Sequence, residues 1–366
     1  MKKIALAHDH LFQNGGAERI LATLANIYQQ APIFTLINDK KVSSALFAQD
    51  RVRTSILQKL PARNKIFPYF LPLMSKIWKN TDLSEYDLVI SSSSAFVKGV
   101  KVGENTKHIC YCHAPTRYLW DDKDEYLGNL EVNFLSRLVL KKLLPILKKW
   151  DFEQAQNVHY FLANSKFIAE KIAKHYHKKA QVIYPPIKVD DFQIADPADK
   201  IEDYYLIVSR LRPYKKVDLA IEAFNNLRLP LKIIGSGSEY PRLKKMASDN
   251  IEFLGELSDK ERNHYLSHCK AFIYPQVEDF GISALEAMAS GRPVVAYGKG
   301  GVLETIIDQK TGLFFHEQNW AALAHTILRF QEMHFDPYFI REHVRQFDQE
   351  LFVKNLNFFI SSIYKP

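Results

Sequence analysis

Glu278 and Glu286 are the two side chains whose types and spacing most invite a chemical reading. They bracket Asp279, Phe280, Gly281 and Ile282 in the stretch 273–296, IYPQVEDFGISALEAMASGRPVVA. A carboxylate accepts hydrogen bonds from two neighbouring hydroxyls, which is how proteins hold sugar diols. Eight residues apart, the two acids do not stack as an i,i+4 helical pair. They suit two separate hydroxyl-bearing parts of one ligand, on either side of a phosphate. Gly281 lets a ligand approach the backbone. The first turn of the helix that follows offers unpaired N–H groups and a positive dipole end to that phosphate. By themselves the two acids also read as a solvated loop acid and a helix-surface acid.

Three other places carry comparable chemistry. Arg210 and Lys215 follow the apolar run YYLIV. Two cations at the C-terminal end of a strand can neutralise a leaving diphosphate, or form an ordinary basic turn. Gly15 and Gly16 stand between a first strand at 3–8 and a helix at 17–28, whose Ile20, Leu21, Leu24 and Ile27 keep helical spacing. Strand, glycine loop and helix N-terminus make a phosphate-facing unit, although many such turns hold no ligand. The pattern is not a GxGxxG fingerprint. His113 ends the strand KHICYCH, where a histidine can take a proton from an acceptor hydroxyl, orient it, or be purely structural.

These residues need elements to hold them. Strand-like runs at 32–37 and 86–91 join those at 3–8 and 107–113, with the serines of SSSSA beyond the end of 86–91. FLANSKFIAEKIAKHY reads as a strand to Ala163 and a helix capped by Asn164 or Ser165. Residues 188–202, rich in Asp and Pro, read as a linker. The second half repeats the alternation. It has a strand at 205–208, a helix from about Val217, and a strand, Gly turn and helix in LKIIGSGSEYPRLKKMA. A capping box follows at Ser258, then strands at 271–274 and 294–296, a glycine turn with a strand pair in 298–315, and an amphipathic last helix. Each half is therefore expected to be an α/β, doubly wound parallel sheet, with domains at 1–190 and 200–345.

Composition narrows the class. At 366 residues, two domains are expected. Apolar content of 47% and charged content of 25% are ordinary for a soluble globular protein, and no run of eighteen apolar residues predicts a membrane span. His8, Asp9 and His10 interrupt the N-terminal apolar run, so it reads as a strand and not a secretory signal. Cys110, Cys112 and Cys269 give no disulfide framework, and a reducing cytoplasm is expected. A metal site at His108, Cys110, Cys112 and His113 is disfavoured, because alternate strand residues point to opposite faces. Residues 1–200 hold 29 Lys+Arg and 20 Asp+Glu, a net of +9, and the remainder nets −1. A basic first half suits an anionic partner: a lipid diphosphate or an anionic membrane surface rather than nucleic acid. The segments 55–80 and 134–150 mix basic and apolar residues. Each reads either as a membrane-touching element or as a core-packing helix.

The acids of EDFG followed by EAMASGRPVVA resemble the signature of retaining GT-B glycosyltransferases of the large family-four type. GGAER, the SRL…K placement of Arg210 and Lys215, and LANSKF fit the same family. YCHAPTRYLWD resembles a segment of bacterial mannosyltransferases that build surface polysaccharides. The resemblance implies a GT-B fold, with two Rossmann-like domains facing across a cleft and a C-terminal helix, about 347–366, crossing back to the first. It implies transfer of a hexose from a nucleotide diphosphate sugar with retained configuration. GDP-mannose is the implied donor, and the implied acceptor is a lipid-linked glycan or polysaccharide. Glu278 would orient sugar hydroxyls and Glu286 the ribose. Arg210, Lys215 and the backbone of Gly15, Gly16, Phe280, Gly281 and Ile282 would hold the diphosphate. His113 would contact the acceptor or the transferred sugar, with Arg117, Tyr118 and Trp120 on the acceptor side. No cofactor or metal is expected, because cations can carry the leaving charge. The expected place is the cytoplasm or the inner face of its membrane. A UDP-sugar-dependent transferase, a nucleotide-sugar epimerase on the same fold, and an idle binding module are the alternatives.

Overall fold

The structure is a computed structural model that describes residues 2–60, 70–121, 134–196 and 201–364. The chain divides into two compact units, Met1–Tyr184 and Pro185–Pro366.

The first unit is built on a seven-stranded sheet. Its strands are β1 (Ile4–His8), β2 (Ile33–Thr35), β3 (Val52–Thr54), β4 (Leu88–Ser93), β5 (Lys107–Cys112), β6 (Tyr160–Ala163) and β7 (Ala180–Val182). The order is β3-β2-β1-β4-β5-β6-β7, and the pairings are parallel. Strands covered on both faces read as unbroken apolar runs, and Ala5, Leu6 and Ala7 in β1 are fully buried. The order reverses between β1 and β4, so the crevice beyond their carboxyl ends is the ligand position of such a sheet. β4 runs further than its sequence suggests. Ser91, Ser92 and Ser93 lie within the strand, paired in register with Cys110, Tyr111 and Cys112. Their hydroxyls are buried but partnered, which is what a buried polar strand end requires.

The basic segment forms one helix, Phe134–Gln156, with Pro145 inside it. Leu140, Leu144 and Leu147 are buried at i, i+4 and i+7, and that face belongs to the unit's own core. The opposite side leaves Val139 and Ile146 exposed among exposed Lys141, Lys142 and Lys149. Of the other mixed segment, residues 61–69 lie outside the described residues. The helix Leu71–Asn80 buries Leu71, Met74 and Trp78. Among the described residues, no helix is long and apolar enough to cross a membrane.

The second unit carries a six-stranded parallel sheet of β8 (Tyr205–Val208), β9 (Leu231–Ile234), β10 (Ile251–Gly255), β11 (Phe272–Tyr274), β12 (Val294–Tyr297) and β13 (Gly312–Phe315). The order β10-β9-β8-β11-β12-β13 puts its reversal between β8 and β11. Ser258 caps the helix Asp259–His268 as expected, exchanging hydrogen bonds with Glu261. One expectation fails. The stretch 298–315 holds one strand, β13, and the short helix Val302–Thr305 instead of a strand pair. Parallel neighbours need a crossover between them, so a hairpin has no place between β12 and β13.

Candidate functional site

In the second unit, the loop leaving β8 passes Arg210, which is exposed, and makes a 3-10 turn at Pro213–Lys215. Lys216 then enters the left-handed region at φ 51° and opens the helix Val217–Leu227. The GSGS turn after β9 braces this loop. A Cβ at Gly235 would lie 1.9 Å from the Ser209 carbonyl, and one at Gly237 would lie 2.2 Å from that of Leu211. The Leu211 N–H donates to the Ser236 carbonyl at 2.8 Å. That turn is a backbone buttress for the segment carrying Arg210.

The loop leaving β11 carries Glu278. Its backbone is pinned: the Gly301 N–H donates to the Glu278 carbonyl at 2.8 Å, and a Cβ on Gly301 would sit 2.3 Å from the Asp279 carbonyl. Gly281 takes φ 99°, a left-handed value that favours glycine, and the helix Ile282–Ala289 starts directly after it. Its N-cap residue, Gly281, has no side chain to give that helix start. Lys215 Nζ donates a hydrogen bond to Glu278 Oε1, so the two loops on either side of the β8/β11 reversal are joined by an ion pair. Both side chains are mostly buried, at 15% and 17% exposure. An ammonium has three hydrogens, so pairing with one carboxylate oxygen leaves two for a phosphate.

The remaining expected residues are placed differently. Phe280 is buried and packs edge-on against Phe347, 5.6 Å between ring centres, so its backbone is what it offers a ligand. Ile282 is half-buried at the helix start. Glu286, 5% exposed, lies 4.0 Å from Arg262, whose guanidinium also holds Asp259 at 2.8 Å. The structure therefore brings Lys215 and Glu278 together. It gives Glu286 a separate cation and leaves Arg210 on the outer loop.

In the first unit, Gly15 and Gly16 begin the helix Gly16–Ile27. The Gly15 N–H is not left open, because it donates to Glu18 Oε2 at 2.9 Å. Gln13 Nε2 donates to the other oxygen at 3.2 Å, and His8 Nε2 stands 3.6 Å from it. Burial alone would raise the Glu18 carboxyl, but His8 and its own helix-start hydrogen bonding bring it down to about 2. His113 continues from β5 and is 8% exposed, with Nε2 2.7 Å from Ser92 Oγ. Ser92 Oγ is also 3.0 Å from His8 Nδ1. Burial, helped by the proximity of His8, pushes His113 down to about 3, so the ring is neutral at physiological pH. Asp9 holds the turn after β4 by accepting from the N–H groups of Ser94, Ala95 and Val97, each at 2.8 Å.

The segment 117–120 is a short helix, Arg117–Trp120, tied into the unit. Arg117 and Tyr118 are half-buried, and Tyr118 packs edge-on against Phe96. Trp120 gives its indole N–H to Asp151 at 2.9 Å. Asp151 is fully buried and also meets Lys98 at 2.5 Å, the Thr116 hydroxyl at 2.9 Å and the Tyr176 hydroxyl at 2.7 Å. Sequence reasoning missed this hub. It also missed Glu18, His8 and Asp9, although Glu18 stands at capping-box distance from Gly15 and all three are polar residues at the end of, or packed against, an otherwise apolar strand. Among the described residues, no group of three or more His, Cys, Asp or Glu side chains could hold a metal ion.

Residues 14–191 match the description "Glycosyltransferase Family 4", and residues 190–346 match "Glycosyl transferases group 1". The chain belongs to the family-four type of glycosyltransferases. This glycosyltransferase is similar to the alpha-1,3/1,6-mannosyltransferase ALG2 of Dictyostelium discoideum, 27% identical over 278 residues, which cover 62% of this chain and 63% of that one. The match thus spans under two thirds of that relative. The Kluyveromyces lactis ALG2 is 27% identical over 380 residues, covering 84% and 71%. In fold, the glycosyltransferase matches the Anabaena protein Alr3699/HepE, solved in complex with UDP. The TM-score is 0.72 at 18% identity, covering 98% of this chain and all of that one. The two parallel-sheet units are those of a GT-B enzyme.

Proposed function

We propose that the protein moves a hexose from a nucleotide diphosphate sugar to an acceptor hydroxyl with retention of configuration. We take the sugar to be mannose and the donor GDP-mannose. The observation that carries this reading is the Lys215–Glu278 pair beside the β8/β11 reversal, next to a helix that starts at a left-handed Gly281. A cation and a helix start whose N-cap is glycine suit a diphosphate, and a carboxylate beside them suits the sugar's hydroxyls. Arg210, Lys215 and the Gly16 and Ile282 amides stabilise the leaving diphosphate, which is where most of the acceleration arises. Glu278 orients the sugar, Glu286 holds the ribose, and His113 serves the transferred sugar or the acceptor. Arg117, Tyr118 and Trp120 lie on the acceptor side. No metal is required in this scheme, since fixed cations take its charge.

The mannosyltransferase names of the ALG2 relatives favour mannose. The HepE complex with UDP favours the second reading, a UDP-linked donor. The acceptor we propose is a lipid-linked glycan or polysaccharide of surface-polysaccharide synthesis, met at an anionic membrane surface. The exposed Val139 and Ile146 among lysines support that placement. The test is a panel of nucleotide sugars, each assayed for thermal stabilisation and for nucleoside diphosphate release, with and without chelator. A ligand at a hundredfold its Kd adds about 2.7 kcal/mol. GDP-mannose should stabilise and turn over. Stabilisation by UDP-sugars alone would replace the donor, and conversion of donor without any acceptor would point to an epimerase.

A further inference from the structure

The donor site proposed for the second unit has a direction along its sheet. Glu278, offered to the sugar, stands in the loop after β11, and Lys215, offered to the diphosphate, in the loop after β8. With the sugar over β11 and the phosphates over β8, the nucleoside continues over β9 and β10, because the strand order is β10-β9-β8-β11. Neighbouring strands lie about 4.8 Å apart, so β10 is about 14 Å from β11 along that edge. Glu286 gives the same direction. Its carboxylate lies 4.0 Å from Arg262, which belongs to the helix Asp259–His268 that follows β10. A ribose held at Glu286 therefore presents its base to the loop between β10 and that helix.

That loop consists of Glu256 and Leu257, with Ser258 capping the helix. There is room beside it, since a Cβ on Gly255 would meet nothing within 4 Å. Of the nearby acids, Glu261 is engaged by Ser258 in the cap and Asp259 by Arg262 at 2.8 Å. Glu256 is exposed, accepts a hydrogen bond on Oε1 from the Ser236 hydroxyl, and pairs with no cation among the described residues. Ser236 sits in the turn that braces the Arg210 loop, and the neighbouring Gly235 N–H donates to the Gly255 carbonyl at 2.7 Å. One backbone framework thus holds both this carboxylate and the phosphate loop.

We infer that Glu256 reads the base of the donor and selects guanine over uracil. Guanine carries two adjacent donors on its pairing edge, N1–H and the N2 amino group, and a carboxylate meets both as a parallel fork. Uracil carries one donor, N3–H, between two carbonyl oxygens, so the second carboxylate oxygen would face a carbonyl. Ser236 occupies one lone pair of Oε1 and leaves the others for the base. The assignment rests on the donor site proposed around Lys215 and Glu278, and it supplies that site with a reason to prefer GDP-mannose.

The test is titration calorimetry of the whole protein with GDP, UDP and IDP, which is GDP without the N2 amino group. The wild type should bind GDP more tightly than IDP, and UDP most weakly. Glu256→Gln should weaken GDP roughly ten- to a hundredfold, the scale of hydrogen bonds to a charged group, and shift UDP by less than about twofold. Glu256→Ala should also erase the difference between GDP and IDP. Asp259→Asn should leave the GDP-to-UDP ratio unchanged. A wild type that binds UDP as tightly as GDP, or a ratio indifferent to both Glu256 variants, overturns the assignment. Lys215→Ala separates it from the donor site itself. That variant should weaken GDP and UDP by the same factor, because it meets only the diphosphate. If it does so while Glu256→Ala leaves the ratio unchanged, the donor site stands and Glu256 is removed from it. If neither nucleotide responds to Lys215→Ala, the donor site fails, and the role of Glu256 with it.

Discussion

Lys215 spends one hydrogen on Glu278 and keeps two, and the chemistry proposed for the second unit turns on that division. Lys215→Ala and Glu278→Ala should each lower the transfer rate by on the order of 10²–10³-fold, the usual cost of removing one preorganised charge partner. The measurement is initial rate at saturating donor, with circular dichroism showing an intact fold. Near wild-type turnover in either variant removes that residue from the mechanism. The next residue along makes a different point. Lys216 holds φ 51°, a left-handed value that favours glycine. A side chain in that conformation costs about 1–2 kcal/mol, so Lys216→Gly should raise the unfolding midpoint by a few degrees. At this scale, sequence legibility followed charge and spacing. Glu278 and Lys215 announced themselves through their neighbours. Glu18 and Asp151 did not, because what marks them is burial beside partners distant in sequence.

Among elements, the long helix Phe134–Gln156 and the short helix Arg117–Trp120 are joined through Asp151. That carboxylate meets Lys98, Thr116, Trp120 and Tyr176 inside the first unit. Removing one member of a buried ion pair leaves the other charge uncompensated. Asp151→Ala should therefore cost about 3–5 kcal/mol in denaturant unfolding. A loss below about 1 kcal/mol, as for a surface pair, would show that the site is hydrated rather than dry. Most strands were legible as apolar runs, and the Ser165 and Ser258 caps as local signals. The helix Val302–Thr305 was not, because four residues with Val and Thr at its ends carry no helical period of their own. Its shape follows from the crossover that β12 and β13 demand, which is a property of the sheet.

For the molecule as a whole, acid sensitivity should begin well above the carboxylate range. His108, whose Nε2 lies 2.8 Å from Ser91 Oγ, and His113 are both pushed by burial from 6.5 to about 3. A group whose folded value is depressed gives stability that is fully present above its unfolded value and drains as pH falls towards the folded one. The loss therefore starts near pH 6.5 and amounts to about 2 kcal/mol per histidine by pH 5, at 1.36 kcal/mol per unit. Glu18, drawn from 4.5 down to about 2, adds its own loss between those values. Urea unfolding from pH 7 to 5 should show the first slope, and His108→Gln should roughly halve it. A slope left unchanged by His108→Gln would mean that the His108 ring is not kept neutral by burial. The two-unit, parallel-sheet organisation was legible from the strand-helix alternation alone. The partition of polar side chains between ligand work and internal scaffolding was not, because both uses select the same residue types at the same strand ends.

Gly300 and Gly301 press so closely on the backbone of Glu278 and Asp279 that a single methyl group on either would collide with a carbonyl oxygen. Two loops that look separate in the chain are therefore one moulding. Anyone grafting a new specificity onto this scaffold must carry residues 277–282 and 298–302 together. Random libraries confined to one of them will mostly sample misfits.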